Sequence, residues 1–292
     1  TDRQKGRNMK KPVFTGSAAA LVTPFTDRGV DYDRLAAALD RQAEGGTAAV
    51  VVCGTTGEAA TLSEAERASI IEFTAVYTRS RMKVIAGIAA RRAERLGADA
   101  LLLTTPYYNK ASSEGIVRHF AYVAEHSELP LIVYNVPGRT GVSCTPEHYA
   151  RLAEIPRING VKEASGDISL VSRTRYLCGD ALNIWSGNDD QTLPMLALGA
   201  KGVISVASNI VPQVMATLCA AALSGDFFTA RAIHEAYAGL FDALFYEVNP
   251  IPVKTAMQML GWDSGRLRLP LCPMAEGNAA KLQNCLESLQ LL

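Results

Sequence analysis

The sequence has no surplus of either charge. Its 292 residues include 29 lysines and arginines against 29 aspartates and glutamates, so the formal net charge is zero. Nucleic acids and anionic membranes are bound mainly by basic surfaces, so neither is expected as a partner. No apolar run reaches the roughly 20 residues that span a bilayer. The first residues also lack the apolar core of a signal peptide, which favours a cytoplasmic location.

Cysteine and histidine are scarce, and neither is spaced as a set of ligands. The chain has six cysteines and four histidines, and it contains no Cys-x-x-Cys pair. Several cysteines lie within apolar runs, a pattern typical of buried, reduced thiols rather than of a disulfide framework. The histidines do not have the spacing of zinc ligands. We therefore predict no metal and no other cofactor.

What the sequence does contain is a regular alternation of short apolar runs with amphipathic segments. The predicted strands are residues 18–25, 48–54, 83–88, 100–105, 131–136, 160–164, 184–187 and 202–207. The predicted helices between and after them are residues 31–44, 63–79, 112–126, 146–155, 168–178, 191–198 and 211–223. Eight strand–helix repeats predict a parallel (β/α)8 TIM barrel closed by right-handed crossovers.

The alternation ends after the eighth strand. Residues 226–247, 252–260 and 276–289 are predicted as helices with no strands between them. We therefore expect a barrel at 9–225 and a C-terminal helical region at 226–292, preceded at 1–8 by a disordered leader or cloning remnant. The third βα unit is short, with eleven residues between Ile88 and Ala100. Its helix must be very short, or the natural chain has further residues there, since a crossover needs at least about ten to twelve.

Lys162 lies inside the sixth predicted strand, near the barrel edge where active sites form. An ammonium group in a protein core costs several kcal/mol unless it is paired. One interpretation is an ion pair with Glu163 or with an acid across the barrel. The other is an amine nucleophile, because burial favours the neutral amine that attacks a carbonyl carbon. A buried lysine is seldom only structural, so we favour the nucleophile.

Further polar residues follow the neighbouring strands at the same edge. Tyr134 ends the fifth strand, and its phenol can shuttle protons if a hydroxyl such as that of Thr55 relays them. Thr55 and Thr56 belong to a Gly-Thr-Thr-Gly turn whose backbone N–H groups suit a carboxylate. Arg139, just beyond the fifth strand, can hold a second carboxylate in a bidentate fashion. Taken alone, Tyr134 is more typical of a packing aromatic residue than of a catalytic one, and Arg139 is equally typical of a surface residue.

In combination, seven segments resemble the dihydrodipicolinate synthase / N-acetylneuraminate lyase superfamily. They are residues 54–58, 105–109, 134–141, 161–166, 202–206, 249–254 and 267–271. The resemblance extends from Phe14 to the C-terminus, and the order of the segments is far more specific than any one of them. It implies a homotetramer that is built as a dimer of dimers.

The resemblance also implies roles for single residues. Lys162 would form a Schiff base with pyruvate. The proton relay would consist of Tyr134, Thr55 and Tyr108, the last reaching into the site of a partner subunit. The residues implied to bind substrate are Thr55, Thr56, Arg139, Gly187 and Ile204, the last through its backbone.

Residues 134–141 are more similar to the synthases than to the sialic acid lyases. In the synthases, the arginine that corresponds to Arg139 meets the carboxylate of L-aspartate 4-semialdehyde. The expected reaction is therefore condensation of pyruvate with this aldehyde to 4-hydroxy-tetrahydrodipicolinate, in lysine and diaminopimelate biosynthesis. Two alternatives stay open: another pyruvate-dependent aldolase acting on a sugar acid or hydroxy-oxo acid, and a catalytically inactive ligand-binding relative.

One part of the resemblance is incomplete. Lysine-inhibited synthases have a serine and histidines where this chain has Ala59, Ala60, Glu64 and Arg67. Of the residues that form the lysine-binding site in those synthases, this chain keeps only Tyr107. The residues from the start of the third helix would fall in the short third βα unit. We therefore expect weak or absent feedback inhibition by lysine.

Overall fold

Strands form the centre of the computed structural model, which describes residues 9–87 and 93–292. The strands are β1 (Gly16–Ala20), β2 (Phe25–Thr26), β3 (Gly29–Val30), β4 (Ala49–Val52), β5 (Lys83–Gly87), β6 (Ala100–Thr104), β7 (Leu131–Asn135), β8 (Ile158–Glu163), β9 (Asn183–Ser186) and β10 (Gly202–Ser205). All except β2 and β3 are parallel and close into a barrel, in which β1 pairs with both β4 and β10. Because parallel neighbours need crossovers, helices connect successive barrel strands wherever the connection is fully described, which leaves out the one between β5 and β6.

The helices lie around this barrel and beyond its last strand. They are α1 (Tyr32–Glu44), α2 (Glu64–Thr78), α3 (Ser113–Glu125), α4 (Pro137–Thr140), α5 (Pro146–Leu152), α6 (Ile168–Cys178), α7 (Thr192–Ala197), α8 (Pro212–Leu223), α9 (Phe227–Ala243), α10 (Ile251–Met259) and α11 (Glu276–Ser288). Ser63 caps α2 through a capping box with Glu66, and Thr145 caps α5 just before Pro146. In the described parts of the chain, no helix is long and apolar enough to cross a bilayer. The predicted (β/α)8 barrel with a helical C-terminal part is confirmed.

The structure corrects the ends of several predicted elements. The first strand ends at Ala20 rather than at Phe25, which instead belongs to the antiparallel β2–β3 hairpin. Pro24 has no N–H for a ladder, so the apolar run leaves the barrel there. Residues 137–140, which lie between a predicted strand and a predicted helix, form the short helix α4, since a proline at the first position suits a helix start. The predicted helix 226–247 ends at Ala243.

The third βα unit is described only in part. Strand β5 ends at Gly87, and residues 94–97 form a turn that leads into β6 at Ala100. Residues 88–92 and the predicted leader at 1–8 lie outside the described residues. The predictions of a very short third helix and of its part in a lysine site therefore stay predictions.

The barrel interior is a packed apolar core. Its members include Ala18, Val51, Ile132 and Trp185, which come from four different strands. Trp185 is fully buried, stacks on Phe14 with ring centroids 5.1 Å apart and donates a hydrogen bond to the Phe14 carbonyl oxygen. Because Phe14 precedes β1, this pair fills the amino end of the barrel. The carboxyl end is left as the place for a site.

Candidate active site

Lys162 points into the barrel from β8. Its neighbours in register are Tyr134 on β7 and Trp185 on β9. The residue is 5% exposed, and its Nζ lies 4.3 Å from the centroid of the Tyr134 ring. Among residues 9–87 and 93–292, Nζ has neither a hydrogen-bond acceptor nor a carboxylate within salt-bridge distance. Lys162 is therefore an interior amine held against an aromatic face.

Glu163 points to the other side of the strand, away from Lys162. Its carboxylate accepts hydrogen bonds from Asn135 Nδ2 at 2.9 Å, Tyr149 Oη at 2.6 Å and the Ser165 N–H at 2.8 Å. Burial raises the pKa of the Glu163 carboxyl, and the bonds from Tyr149 and Ser165 oppose that shift. The interpretation of Lys162 as the ion-pair partner of Glu163 is wrong, because adjacent residues of a strand face opposite sides.

Asp189 is a buried carboxylate that follows β9 and was not among the predicted site residues. Its Oδ2 accepts hydrogen bonds from the N–H groups of Val206 at 3.1 Å and Ala207 at 2.9 Å. Burial raises the pKa of Asp189, while the positive charge of Lys162 is among the influences that lower it. The two groups interact through space without a direct ion pair.

Gly187 makes room for the lysine side chain. A Cβ atom at this position would lie 3.1 Å from Cε of Lys162 and 2.6 Å from Cβ of Ala164. A larger residue would therefore displace one of them. Ile204 is fully buried on β10, in the same interior cluster as Tyr134. Both positions lie in the region where the resemblance implied a pocket.

A cavity of about 480 Å³ lies at the carboxyl edge of the barrel. Three of the predicted site residues line it, namely Thr55, Tyr134 and Arg139. Lys162 is not a lining residue and lies against the ring of Tyr134, which is one. No hydrogen bond joins Thr55 to Tyr134 in the described part of the chain. The structure thus brings the expected groups together without a preformed relay between them.

Asn249, from the C-terminal region, connects two parts of this site. Its Nδ2 donates to Thr56 Oγ1 at 2.9 Å, and Arg139 Nη2 donates to its carbonyl oxygen at 3.0 Å. Thr56 is buried, whereas Thr55 faces the cavity. Asn249 also lines the cavity. The only signal for this residue in the sequence was its place in one of the seven matching segments.

Tyr108, like Thr56, Lys162, Gly187 and Ile204, is a predicted site residue that does not line the cavity. It is 89% exposed and has a φ of 62°, in a loop whose other aromatic residue, Tyr107, does line the cavity. The resemblance assigned Tyr108 to the site of a partner subunit. That role stays a prediction.

The cysteines take no part in the site. None of the six cysteines forms a disulfide, and four are buried. Cys272 is exposed and Cys285 is half-buried, so the prediction of buried thiols is wrong for these two. In the part of the chain that the structure describes, no three His, Cys, Asp or Glu side chains converge as metal ligands.

A comparison with known sequences defines the family of this barrel and its interior lysine. The sequence model of the dihydrodipicolinate synthetase family matches residues 13–289. The chain belongs to the dihydrodipicolinate synthetase family.

Members of the dihydrodipicolinate synthetase family match the chain over nearly its whole length. A relative from Geobacter sulfurreducens, named 4-hydroxy-tetrahydrodipicolinate synthase, is 46% identical over 290 residues, which is 96% of this chain and 100% of the relative. The structure of dihydrodipicolinate synthase from Thermotoga maritima is 40% identical with a TM-score of 0.93, covering 96% of this chain and 100% of that one. The Acinetobacter baumannii synthase, described as chloride-inhibited and complexed with pyruvate, is 41% identical with a TM-score of 0.93 and the same coverage. The chain is therefore an enzyme of this family.

Proposed function

We propose that this enzyme condenses pyruvate with L-aspartate 4-semialdehyde to 4-hydroxy-tetrahydrodipicolinate through a Schiff base on Lys162. The observation that supports this most directly is the state of Lys162. Its buried Nζ lies 4.3 Å from the centre of the Tyr134 ring and has no carboxylate partner among the described residues. A purely structural lysine at this depth would need such a partner. One relative is named for the product, 4-hydroxy-tetrahydrodipicolinate, and another is described in complex with pyruvate, which supports the same reaction here.

The first half of the reaction makes the Schiff base. The neutral Nζ of Lys162 adds to the C2 carbonyl carbon of pyruvate, giving a carbinolamine, which loses its hydroxyl as water to leave an iminium ion. A group at the site must protonate that hydroxyl, and we assign this role to the phenol of Tyr134, whose ring centre lies 4.3 Å from Nζ. Thr55 lines the same cavity and is the proposed next member of the relay.

The second half forms the carbon–carbon bond. The iminium ion acidifies C3 of pyruvate, and loss of a proton there gives an enamine whose C3 attacks the aldehyde carbon of the second substrate. The amino group of that substrate then displaces Lys162 from the imine carbon and closes the ring. We assign the carboxylate of the aldehyde to Arg139, because one guanidinium N–H is fixed on the Asn249 carbonyl and the side chain lines the cavity.

Borohydride reduction in the presence of pyruvate tests the Schiff base. We expect a pyruvate adduct on the peptide that contains Lys162, read by peptide mass. Lys162→Ala should abolish trapping and turnover. Lys83→Ala is the matched control, because Lys83 begins β5 at the opposite end of the barrel and pairs with Asp99. An adduct that persists in Lys162→Ala would contradict the assignment.

Arg139→Ala distinguishes the synthase from another pyruvate-dependent aldolase. In the synthase the change should raise KM for aspartate semialdehyde by at least tenfold, because a charge-assisted hydrogen bond contributes about 1.5–3 kcal/mol. Trapping of pyruvate should remain. A sugar-acid lyase would retain its activity, and pyruvate binding without any turnover in the parent enzyme would favour an inactive relative.

We also propose that the enzyme is a cytoplasmic homotetramer, a dimer of dimers, in which Tyr108 enters the cavity of a partner subunit. The support is the loop of Tyr107 and Tyr108, two aromatic side chains that are 67% and 89% exposed in the single chain. Adjacent exposed aromatic residues are typical of protein interfaces.

A further inference from the structure

The turn that carries Thr55 and Thr56 is attached to the C-terminal region by a buried ion pair. Glu58, at the end of the turn, has a fully buried side chain. Its Oε1 lies 2.8 Å from Nζ of Lys254 on α10, whose side chain is also fully buried. Its Oε2 accepts a hydrogen bond from the N–H of Arg268 at 3.0 Å. Two separate segments of the C-terminal region therefore hold one carboxylate.

The ammonium group of Lys254 uses its full hydrogen-bonding capacity. Besides Glu58, it donates to the carbonyl oxygens of Thr23 at 2.9 Å and of Arg266. It also lies 4.4 Å from the centre of the Phe25 ring. All three N–H donors are used, so the position of the ammonium is fixed from both the barrel side and the C-terminal side.

The turn itself needs outside support to keep its shape. Glu58 has a φ of 53°, a left-handed conformation that is unfavourable for a residue with a Cβ. Its backbone hydrogen bonds are local: the Glu58 N–H donates to the Thr55 carbonyl at 3.0 Å, the Thr61 N–H donates to the Glu58 carbonyl at 2.9 Å, and Thr23 Oγ1 donates to the Gly57 carbonyl at 2.8 Å. The bonds of the Glu58 carboxylate add fixed directions that an apolar side chain does not supply.

Stability alone does not explain this pair. Replacing a buried ion pair by well-packed apolar residues is often neutral or stabilising, because desolvation offsets the attraction between the charges. A second contact also joins the C-terminal region to this turn, namely the hydrogen bond from Asn249 Nδ2 to Thr56 Oγ1. Both links lead from the C-terminal region to the turn with the two threonines.

We infer that Glu58 and Lys254 are positioning residues, which hold Thr55 and Thr56 in the geometry that binds the carboxylate of pyruvate. This inference rests on the proposed function. Lys254 does not line the cavity, and Glu58 lines it while both of its carboxylate oxygens are bound to Lys254 and the Arg268 N–H, so their effect reaches the substrate through the backbone of the turn. The C-terminal region is thereby a structural part of the pyruvate site.

Single and double variants separate positioning from stability. Glu58→Gln and Lys254→Met each leave one buried charge without its partner, so each should lower Tm. The double variant removes both charges and should recover most of the lost Tm. We expect its KM for pyruvate to remain at least tenfold above the parent value, with a smaller change in kcat, because binding of pyruvate itself is impaired. A double variant that regains both Tm and KM would overturn the inference.

Glu66→Gln is the matched control. Glu66 on α2 binds the Arg268 guanidinium at 2.5 Å, so it joins the same C-terminal segment to a helix instead of to the turn. We expect a lower Tm and an unchanged KM for pyruvate. An equal rise in KM would mean general loosening and would overturn the inference. A parent enzyme that is not trapped by borohydride with pyruvate would instead remove the proposed function, and this inference with it.

Discussion

The ring and the hydroxyl of Tyr134 have separate effects on Lys162. The ring face lies 4.3 Å from Nζ and favours a positive charge there by a cation–π interaction. The iminium ion of the proposed Schiff base carries such a charge, so the ring stabilises that intermediate. The hydroxyl is needed only while a proton moves. The two contributions can therefore be separated by a substitution that keeps the ring.

Tyr134→Phe should reduce kcat about 100- to 10,000-fold, the usual range for loss of a general acid–base group. KM for pyruvate should change little, since the ring and the cavity wall remain. Steady-state kinetics and the rate of borohydride trapping measure the two effects. Tyr77→Phe is a suitable control, because it removes a hydroxyl that donates to Asp40 Oδ2 at 2.7 Å on the outside of the barrel. A kcat in Tyr134→Phe within tenfold of the parent would exclude Tyr134 from the relay.

One acidic side chain in the first turn of α2 accepts hydrogen bonds from two different parts of the chain. Glu66 accepts the Ser63 N–H in the capping box at 2.9 Å and also binds the guanidinium of Arg268. The hydrogen bonds from Arg268 are the main cause that lowers the pKa of Glu66 from 4.5 to about 2, with Ser63 adding to the effect. The start of α2 and the C-terminal segment therefore depend on the same carboxylate charge.

That shared charge predicts an acid-sensitive contact. The folded pKa of Glu66 lies below its unfolded value, so the unfolded chain binds more protons between about pH 4.5 and 2. The contribution of Glu66 is complete above this window and is lost as the pH falls through it. Glu66→Gln should lower Tm at pH 7, and the difference from the parent should narrow towards pH 3. Calorimetry at both pH values measures it, and a constant difference would contradict the assignment.

The elements of the barrel could be predicted where their pattern is regular. Helix α6 has the bounds that were expected, because a capping Asp167 and an apolar period mark its limits. The end of β1 could not be placed, since the apolar run continues past the last ladder bond as far as Phe25. The short helix α4 was missed because four residues are too few to show a helical period.

The active site as a whole is assembled from distant parts of the chain. Lys162 could be selected from the sequence because a charged residue interrupts an apolar strand. The contact of Glu58 with Lys254 could not, since 196 residues separate them and only the packed fold brings them together. The hydrogen bond between Asn249 and Thr56 could not be predicted either, because 193 residues separate them. Local patterns therefore predict the chemistry of the site, and tertiary packing determines its support.

A mixing experiment tests whether neighbouring subunits complete each other's sites. Lys162→Ala and Tyr108→Phe should each impair the enzyme. Co-expression of the two variants with different tags produces hetero-oligomers. In these, the site that contains the intact Lys162 of a Tyr108→Phe subunit receives the intact Tyr108 of a Lys162→Ala subunit. We expect activity in the doubly tagged fraction that exceeds that of either parent variant. If Tyr108 acts within its own chain, the mixed species will show no such gain.

The placement of Trp185 gives the barrel its own optical reporter. The chain has only two tryptophans, and this one is fully buried on the strand next to Lys162, in register with it. The other, Trp262, lies in the C-terminal region with the Arg41 guanidinium 4.7 Å from its ring. A pyruvate imine on Lys162 would add a carboxylate and extra volume at the residue that is in register with Trp185. The emission of a Trp262→Phe variant can therefore follow occupancy of the lysine directly, before any second substrate is added.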